Sequence, residues 1–314
     1  SYEQLPFQLD PLEALRPGSA PARSDGNATL LEYRQPAAAS YHYWSEEDFN
    51  AVSEGELPQG ASMKDWAVGD IETGFAESDY IMDESFVVAA NSHHSMEPRS
   101  TLATWEAGKC HVYGSTQSQA WVNAGLAQYL GIEQQDLVYI APFCGGGFGS
   151  KGSAYPSMAI PAYLSKKINR PVMHRFTRTE EYYLGRARSS FQARAKIGFT
   201  NEGKIKAIDL YLIKDAGPNE GFSDIDGASA CVNLIYSPDH FRLRAVSPNT
   251  NTPPRGPQRG PGHNQMVVSF EPLLDKAAAH LGISRLAIRK INAAQTGSGV
   301  GPNQTEISSL YQLE

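Results

Sequence analysis

Residues 143–152 read Phe-Cys-Gly-Gly-Gly-Phe-Gly-Ser-Lys-Gly, so half of the stretch is glycine. Backbone this bare can approach a polyanion, and its free amide N–H groups bind phosphate oxygens. Three readings compete for the loop. Gly147, Gly149 and Gly152 match the spacing of a dinucleotide fingerprint, which needs an acidic residue at the end of the next strand. That strand ends in His174-Arg175-Phe176, where only Arg175 is available to meet a ribose phosphate. A nucleoside-triphosphate loop needs Gly-Lys-Ser or Gly-Lys-Thr, and Ser150-Lys151-Gly152 does not supply it. A tight turn that uses its glycines for positive φ and close packing is the third reading.

A second stretch has comparable chemistry. Residues 251–265 read Asn-Thr-Pro-Pro-Arg-Gly-Pro-Gln-Arg-Gly-Pro-Gly-His-Asn-Gln. Its prolines restrict the backbone and its glycines permit close approach. Arg259 and Gln265 offer planar multidentate donors to phosphate or amide edges. A surface connector is the plainer alternative. A third element, Gly114-Ser115-Thr116-Gln117-Ser118-Gln119, precedes a helical pattern.

In this order and at these separations, the three elements resemble the molybdopterin-binding subunit of the xanthine dehydrogenase and aldehyde oxidase family, with a match running from about residue 70 to 296. The resemblance covers only the first molybdopterin-binding half of that subunit. It implies that Gln117 sits near the molybdenum oxo group. It further implies that Gly146, Gly147, Phe148 and Gly149 form the family's glycine loop, with Phe148 and Gly149 beside metal and pterin. Arg259 and Gly260 match the loop that contacts the pterin phosphate region, and Gln265 matches the family's glutamine there. No residue is implied as a direct metal ligand; Gln117 and Phe148 lie one shell out. The segments 93–99, 175–181 and 286–292 agree with the same family.

What the resemblance implies chemically is hydroxylation of an aldehyde or aromatic N-heterocycle with water as oxygen donor. The cofactor is a molybdenum–molybdopterin, with its cytosine-dinucleotide form left open. Electrons pass to 2Fe-2S and FAD groups on an iron–sulfur subunit and an FAD subunit. The family's general-base glutamate lies beyond the matched region, so no residue here is named as catalytic, and the base is expected on a second molybdopterin-binding chain. Purine-oxidising members carry a glutamate after the loop lysine and an arginine near residues 226–228. Gly152 stands at the first position and no basic residue at the second, which makes xanthine a poor substrate. Phe222 and Tyr236 are candidates for an apolar pocket, or equally for core. The alternatives from other classes are a non-catalytic scaffold subunit and an NADP-linked reductase using the glycine loop and Arg175.

Composition fits this picture. The chain has 314 residues, 41% hydrophobic and 19% charged, and a formal charge of -7. These values suit a globular protein and argue against a general nucleic-acid surface, which needs clustered Lys and Arg. Cys110, Cys144 and Cys231 give neither a disulfide framework nor the spacing of an iron–sulfur cluster. Cys144 is expected to be a small buried residue. No apolar run approaches the length of a membrane span, and there is no basic-then-apolar leader. The expected location is cytoplasmic, with a periplasmic one open through a partner's export signal.

The elements that must carry these loops follow from periodicity and punctuation. Residues 1–69 read as an extended arm rich in proline, whose Tyr33, Tyr41, Tyr43, Trp44 and Phe49 need covering. Residues 70–296 read as the cofactor-binding domain, and residues 297–314 as a C-terminal linker. Thr116 is expected to cap a helix ending at Gly131, with Gln117 in its first turn and Ala120, Ala124, Ala127 and Leu130 as its apolar stripe. The glycine loop is expected to leave a strand at 137–141 and open a helix over 153–168. Residues 189–199 and 204–214 form a predicted hairpin. A helix over 264–281, with Val267, Phe270, Leu274, Ala277, Ala278 and Leu281 inward, stops at Gly282, and Ser284 caps another. Adjacent His93 and His94 point to opposite faces and read as ordinary packing or hydrogen-bonding residues. Strands and helices that do not alternate regularly indicate an α+β architecture, mixed sheets with helices packed on them.

Overall fold

The computed structural model describes residues 2–22, 27, 44–53, 55–218 and 224–307. The chain forms two compact units, one from Ser1–Ala90, Ser189–Arg255 and Gly260–Glu314, the other from Asn91–Arg188 and Gly256–Arg259. In chain order, the first unit begins with α1 (Glu46–Asn50), β1 (Lys64–Val68), α2 (Ile71–Ala76) and β2 (Tyr80–Val88). The second unit follows with β3 (Asn91–Ser92), β4 (Ser100–Glu106), β5 (Lys109–Gly114), α3 (Gln119–Leu130) and β6 (Leu137–Ile140). It continues through α4 (Ala159–Ile168), β7 (Val172–Arg175), α5 (Arg178–Leu184) and β8 (Ala187–Arg188). The chain then returns to the first unit with β9 (Phe191–Phe199), β10 (Ile205–Lys214), α6 (Asp224–Tyr236) and β11 (His240–Val246). Its last elements are α7 (His263–Leu281), α8 (Arg285–Asn292), β12 (Gly299–Val300) and β13 (Thr305–Glu306).

The first unit is built on a sheet of order β1-β11-β10-β9-β2, antiparallel except for the β10–β11 pair. The predicted hairpin is β9–β10, turned through Gly203 at φ 89°. Phe191, Ala193, Ala195, Ile197 and Phe199 alternate inward along β9, because side chains two apart share a face. On that face they meet Phe270 and Leu274 of α7, Val232 of α6 and Ile288 of α8. Each such large side chain contributes about 1.5–3 kcal/mol of burial. The opposite face is also covered, since Leu15, Trp44 and Leu57 pack on Tyr211, Ile213 and Val246. Trp44 of the arm is therefore covered as expected, and the Phe49 ring lies tilted against it at a centroid distance of 5.6 Å. Tyr33, Tyr41 and Tyr43 lie outside the described residues.

α7 ends at Gly282, in the left-handed region at φ 69°, and Ser284 caps α8 by accepting from the Ala287 amide. Within α7 the expected inward stripe holds except at Val267. Met266 and Leu273 are buried with Phe270, Leu274, Ala277 and Ala278, while Val267 faces out. Tyr236 is core, packed within the main cluster. Phe222 lies outside the described residues.

The second unit has a sheet of order β6-β5-β4-β7 and a short β3–β8 pair. α3 crosses over between the parallel strands β5 and β6. Ala103, Val112, Leu126, Met158 and Ala162 lie in the core beneath α3 and α4. The stripe of α3 differs from expectation: Val122, Leu126, Ala127 and Leu130 are buried, while Ala120 and Ala124 are exposed. Burying the larger side chains removes more apolar surface, so Val and Leu take the inner face.

Candidate cofactor-binding site

The glycine loop leaves β6 as expected, but it does not open a helix. Tyr155, forced into extended geometry before Pro156, separates it from a 3-10 turn at Pro156–Met158 and from α4, which starts only at Ala159. The N-terminus of α4 therefore does not begin at this loop. The donors come from the loop itself. The amides of Gly146, Gly147 and Phe148 donate to nothing among the described residues, whereas the flanking amides are committed. Gly145 donates to Glu97 at 2.7 Å, Gly149 to the Gln117 side chain at 2.7 Å, and Ser150 to the Gly147 carbonyl at 2.9 Å. Three successive uncommitted N–H groups form a concave donor set for an anion.

Buried charges brace the loop from behind. Lys151 is 1% exposed and donates to the Glu97 carbonyl at 2.8 Å and its carboxylate at 3.0 Å. Burial works against the Glu97 charge, but the Gly145 amide and the Lys151 ammonium outweigh it and hold its carboxyl below the usual range. Arg99 is 3% exposed; it pairs with Glu181 and donates to the Ser150 carbonyl at 2.7 Å. These pairs span 54 and 82 residues, beyond the reach of any local spacing rule. Phe148 itself stands at φ 54°, a strained conformation for an aromatic residue, with its ring 46% exposed.

Thr116 does not cap α3. Its hydroxyl donates to the Lys151 carbonyl at 2.7 Å and accepts from the Ser118 amide, which ties the Gln117 segment to the glycine loop. The helix begins at Gln119 with Ser118 as N-cap, so Gln117 lies before its first turn. The Gln117 carbonyl oxygen accepts from Gly149, and its amide Nε2 makes no hydrogen bond among the described residues. A side chain at 147 would displace the Gln117 amide, since its Cβ would lie 2.4 Å from Gln117 Oε1.

The return segment Gly256–Arg259 completes the second unit as a strap. The Gly256 amide donates to Ala187 at 3.0 Å and the Arg259 amide to Phe148 at 2.8 Å. The Pro257 carbonyl faces His93 Nε2 at 2.8 Å, while His93 Nδ1 faces the Arg186 carbonyl at 2.9 Å. Arg188 donates to Gln258 Oε1 at 2.6 Å and to the Arg259 carbonyl at 2.8 Å, and Gln258 Nε2 donates to Ser92 at 3.1 Å. The strap crosses so near the loop that a Cβ on Gly149 would sit 2.0 Å from the Pro257 oxygen. Its backbone is thus spent on structure. The Arg259 guanidinium is exposed and has no partner among the described residues.

Gln117, Gly146, Gly147, Phe148, Gly149 and Arg259 therefore share one unit. Gly260 and Gln265 belong to the other. Gly260 turns at φ 72°, and the buried Gln265 amide donates to the Ser189 carbonyl at 3.2 Å and to Asp224 at 3.3 Å. Cys144 is exposed, contrary to expectation, because it lies on the outward run Pro142, Phe143, Cys144 and Gly145. Its thiol reaches only the Gly146 carbonyl, at 3.6 Å. His93 is buried and His94 exposed, in keeping with opposite faces. No cluster of three or more His, Cys, Asp or Glu exists among the described residues to ligate a metal directly. Bare amides, an open glutamine donor and a free guanidinium suit a ligand that brings its own anionic groups.

Residues 53–293 match the model of the molybdopterin cofactor-binding domain. The chain belongs to this family. The xanthine dehydrogenase of Dictyostelium discoideum is 32% identical over 78% of this chain, and an indole-3-acetaldehyde oxidase of Arabidopsis thaliana 31% over 78%. The chain spans 18% and 19% of those two relatives. The aldehyde oxidoreductase of Desulfovibrio desulfuricans superposes on 95% of this chain with a TM-score of 0.75 at 20% identity, and the chain covers 30% of it. That likeness supports the α+β fold of the molybdopterin cofactor-binding domain. The residues present fit the group this domain is named for: the amides of Gly146, Gly147 and Phe148, the Gln117 Nε2 and the exposed Arg259 guanidinium, all without partners among the described residues, are the donors an oxygen-rich anionic ligand needs.

Proposed function

We propose that this chain is the cofactor-holding part of a molybdenum hydroxylase, with residues 70–296 as its first molybdopterin-binding domain, residues 1–69 as an arm and 297–314 as a linker. Its substrate is an aldehyde or aromatic N-heterocycle. The observation that carries the reading is that one unit holds three amides, the Gln117 Nε2 donor and the Arg259 guanidinium, all without partners among the described residues. When bound, the molybdenum cofactor supplies the two-electron chemistry that introduces an oxygen from water.

The chain's own part is binding and orientation. The Gly146, Gly147 and Phe148 amides hold anionic edges of the ligand. Arg259 offsets ligand charge, and the Gln117 amide donates to an oxygen beside the reacting carbon. The Phe148 ring excludes water on one side. Glu97–Lys151 and Arg99–Glu181 keep the loop in place while these contacts form. The general base, the iron–sulfur groups and the flavin belong, on this reading, to a second molybdopterin-binding chain, an iron–sulfur subunit and an FAD subunit. We assign the assembly to the cytoplasm, in keeping with three free thiols. No helix among the described residues is long and apolar enough to cross a membrane.

Elemental and pterin analysis of the assembled enzyme tests the reading, together with oxidation of aldehydes and N-heterocycles in isotopically labelled water. About one molybdenum and one pterin per copy of the chain, with label entering the product, is the expected result. An assembly that holds NADP and no molybdenum refutes it.

A further inference from the structure

Arg186, part-buried in the second unit, has no carboxylate to answer its charge among the described residues. Its single side-chain hydrogen bond runs to Ser153 Oγ at 2.6 Å. The groups whose fields it feels are Arg99, a like charge, and the phenols of Tyr129 and Tyr155. Burial first, and then the Arg99 charge, push its pKa down, so the fold works against the cation it contains. The two arginines of the unit that are fully buried, Arg99 and Arg188, are both well engaged. Arg99 has Glu181, and Arg188 is engaged by Gln258 and the Arg259 carbonyl. A buried charge without a partner is costly, and a site that keeps one is completed by an anion.

The position says which anion. Ser153 follows the glycine loop directly, and the Arg186 stem runs alongside Gly256, where a Cβ would fall 2.5 Å from Arg186 Cδ. Gly256 thus leaves room for the arginine at the start of the strap whose far end presents Arg259. The guanidinium keeps most of its five-donor fork free, beside a hydroxyl that can also donate. Fork and hydroxyl together suit a tetrahedral oxyanion.

We propose that Arg186 and Ser153 bind a phosphoryl group, the phosphate tail of the pterin ligand. This deepens the proposed function and rests on it for the identity of the ligand, but not for the existence of the anion site.

The test uses the assembled enzyme carrying wild-type chain, Arg186→Met, Arg186→Lys or Ser153→Ala. Methionine keeps the stem's apolar volume and removes the charge. Two measurements are made: pterin and molybdenum content after gel filtration, and thermal stabilisation of cofactor-stripped enzyme by inorganic phosphate. Arg186→Met is expected to weaken phosphate binding about tenfold or more and to lower pterin retention, with Arg186→Lys intermediate. Should phosphate stabilisation depend on Arg186 in an enzyme that never contains molybdenum, the anion site stands and the cofactor reading falls. If the enzyme holds molybdenum and Arg186→Met retains pterin and phosphate as wild type does, the proposal is overturned, and the guanidinium answers a carboxylate from another chain instead.

Discussion

Replacing Gly149 with alanine separates close approach from backbone strain at the centre of the site. The new Cβ would lie 2.0 Å from the Pro257 oxygen and 2.7 Å from its carbonyl carbon, both backbone atoms that cannot rotate away. An ordinary carbon–oxygen contact is roughly 3.3 Å, so loop and strap must part by about 1.3 Å. Such overpacking costs about 1–3 kcal/mol. Alanine at φ 109° adds about 1–3 kcal/mol of backbone strain. The Phe148–Arg259 hydrogen bond crosses this gap, while the Gln117–Gly149 bond holds Gln117 to the loop, so a parting of that size pulls Arg259 away from the loop and from the Gln117 tied to it. Gly108→Ala is the control. It also replaces a glycine at positive φ, 79°, in the same unit, but nothing lies within 4 Å of its Cβ. In the assembled enzyme, Gly149→Ala is expected to lose most bound molybdenum and pterin and to lower Tm, while Gly108→Ala lowers Tm modestly and keeps its cofactor. Equal molybdenum content in the two variants would refute the argument that the loop–strap approach shapes the site.

Three further outcomes follow from the same geometry. Arg259→Ala removes the open guanidinium but none of the strap's backbone bonds, so cofactor binding should weaken by about 2–5 kcal/mol with Tm of the stripped enzyme nearly unchanged; full molybdenum occupancy on dilution contradicts the role. Arg99→Met leaves Glu181 as a buried lone carboxylate and should destabilise by about 3–5 kcal/mol, whereas Arg99→Met combined with Glu181→Leu should recover much of that, as denaturant titration will show. The Glu97 carboxyl is depressed in the folded chain, so its stabilising contribution is complete above the ordinary glutamate range and is lost as pH falls through the folded value. Hydrogen exchange at the Gly145 amide should accelerate on acidification in wild type and be fast at every pH in Glu97→Ala, which removes the acceptor, after correction for intrinsic exchange rates; a wild-type protection factor that does not change across that range argues against the bracing role.

Much of the scaffold was legible because local rules govern it. The β9–β10 hairpin, the stop of α7 at Gly282 and the Ser284 cap each depend on a few neighbouring residues. The loops of the site were legible by composition, since Gly149 and Arg259 stand out in any reading. What failed were choices settled by distant partners. Thr116 looks like a helix cap, but the Lys151 carbonyl claims its hydroxyl and the helix starts later. Glycines before a helical pattern suggested a helix-end phosphate site, but Pro156 imposes an extended break. Lys151 was visible as a motif residue, yet nothing near it in sequence announces Glu97 as its support. His93 was rightly read as a packing or hydrogen-bonding residue, but only the fold shows its ring nitrogens facing two distant carbonyls, that of Arg186 and that of Pro257 in the strap.

The second unit is written in two instalments, Asn91–Arg188 and then Gly256–Arg259. A ribosome that has just released Arg188 has made the glycine loop and every charge that braces it, but not the four residues that close over it. Chain termination or proteolysis before residue 256 would leave a nearly whole unit with its clasp missing. Any ligand that needs both the loop and its clasp can therefore be held only after the hairpin β9–β10, the strand β11 and the four strap residues have been made.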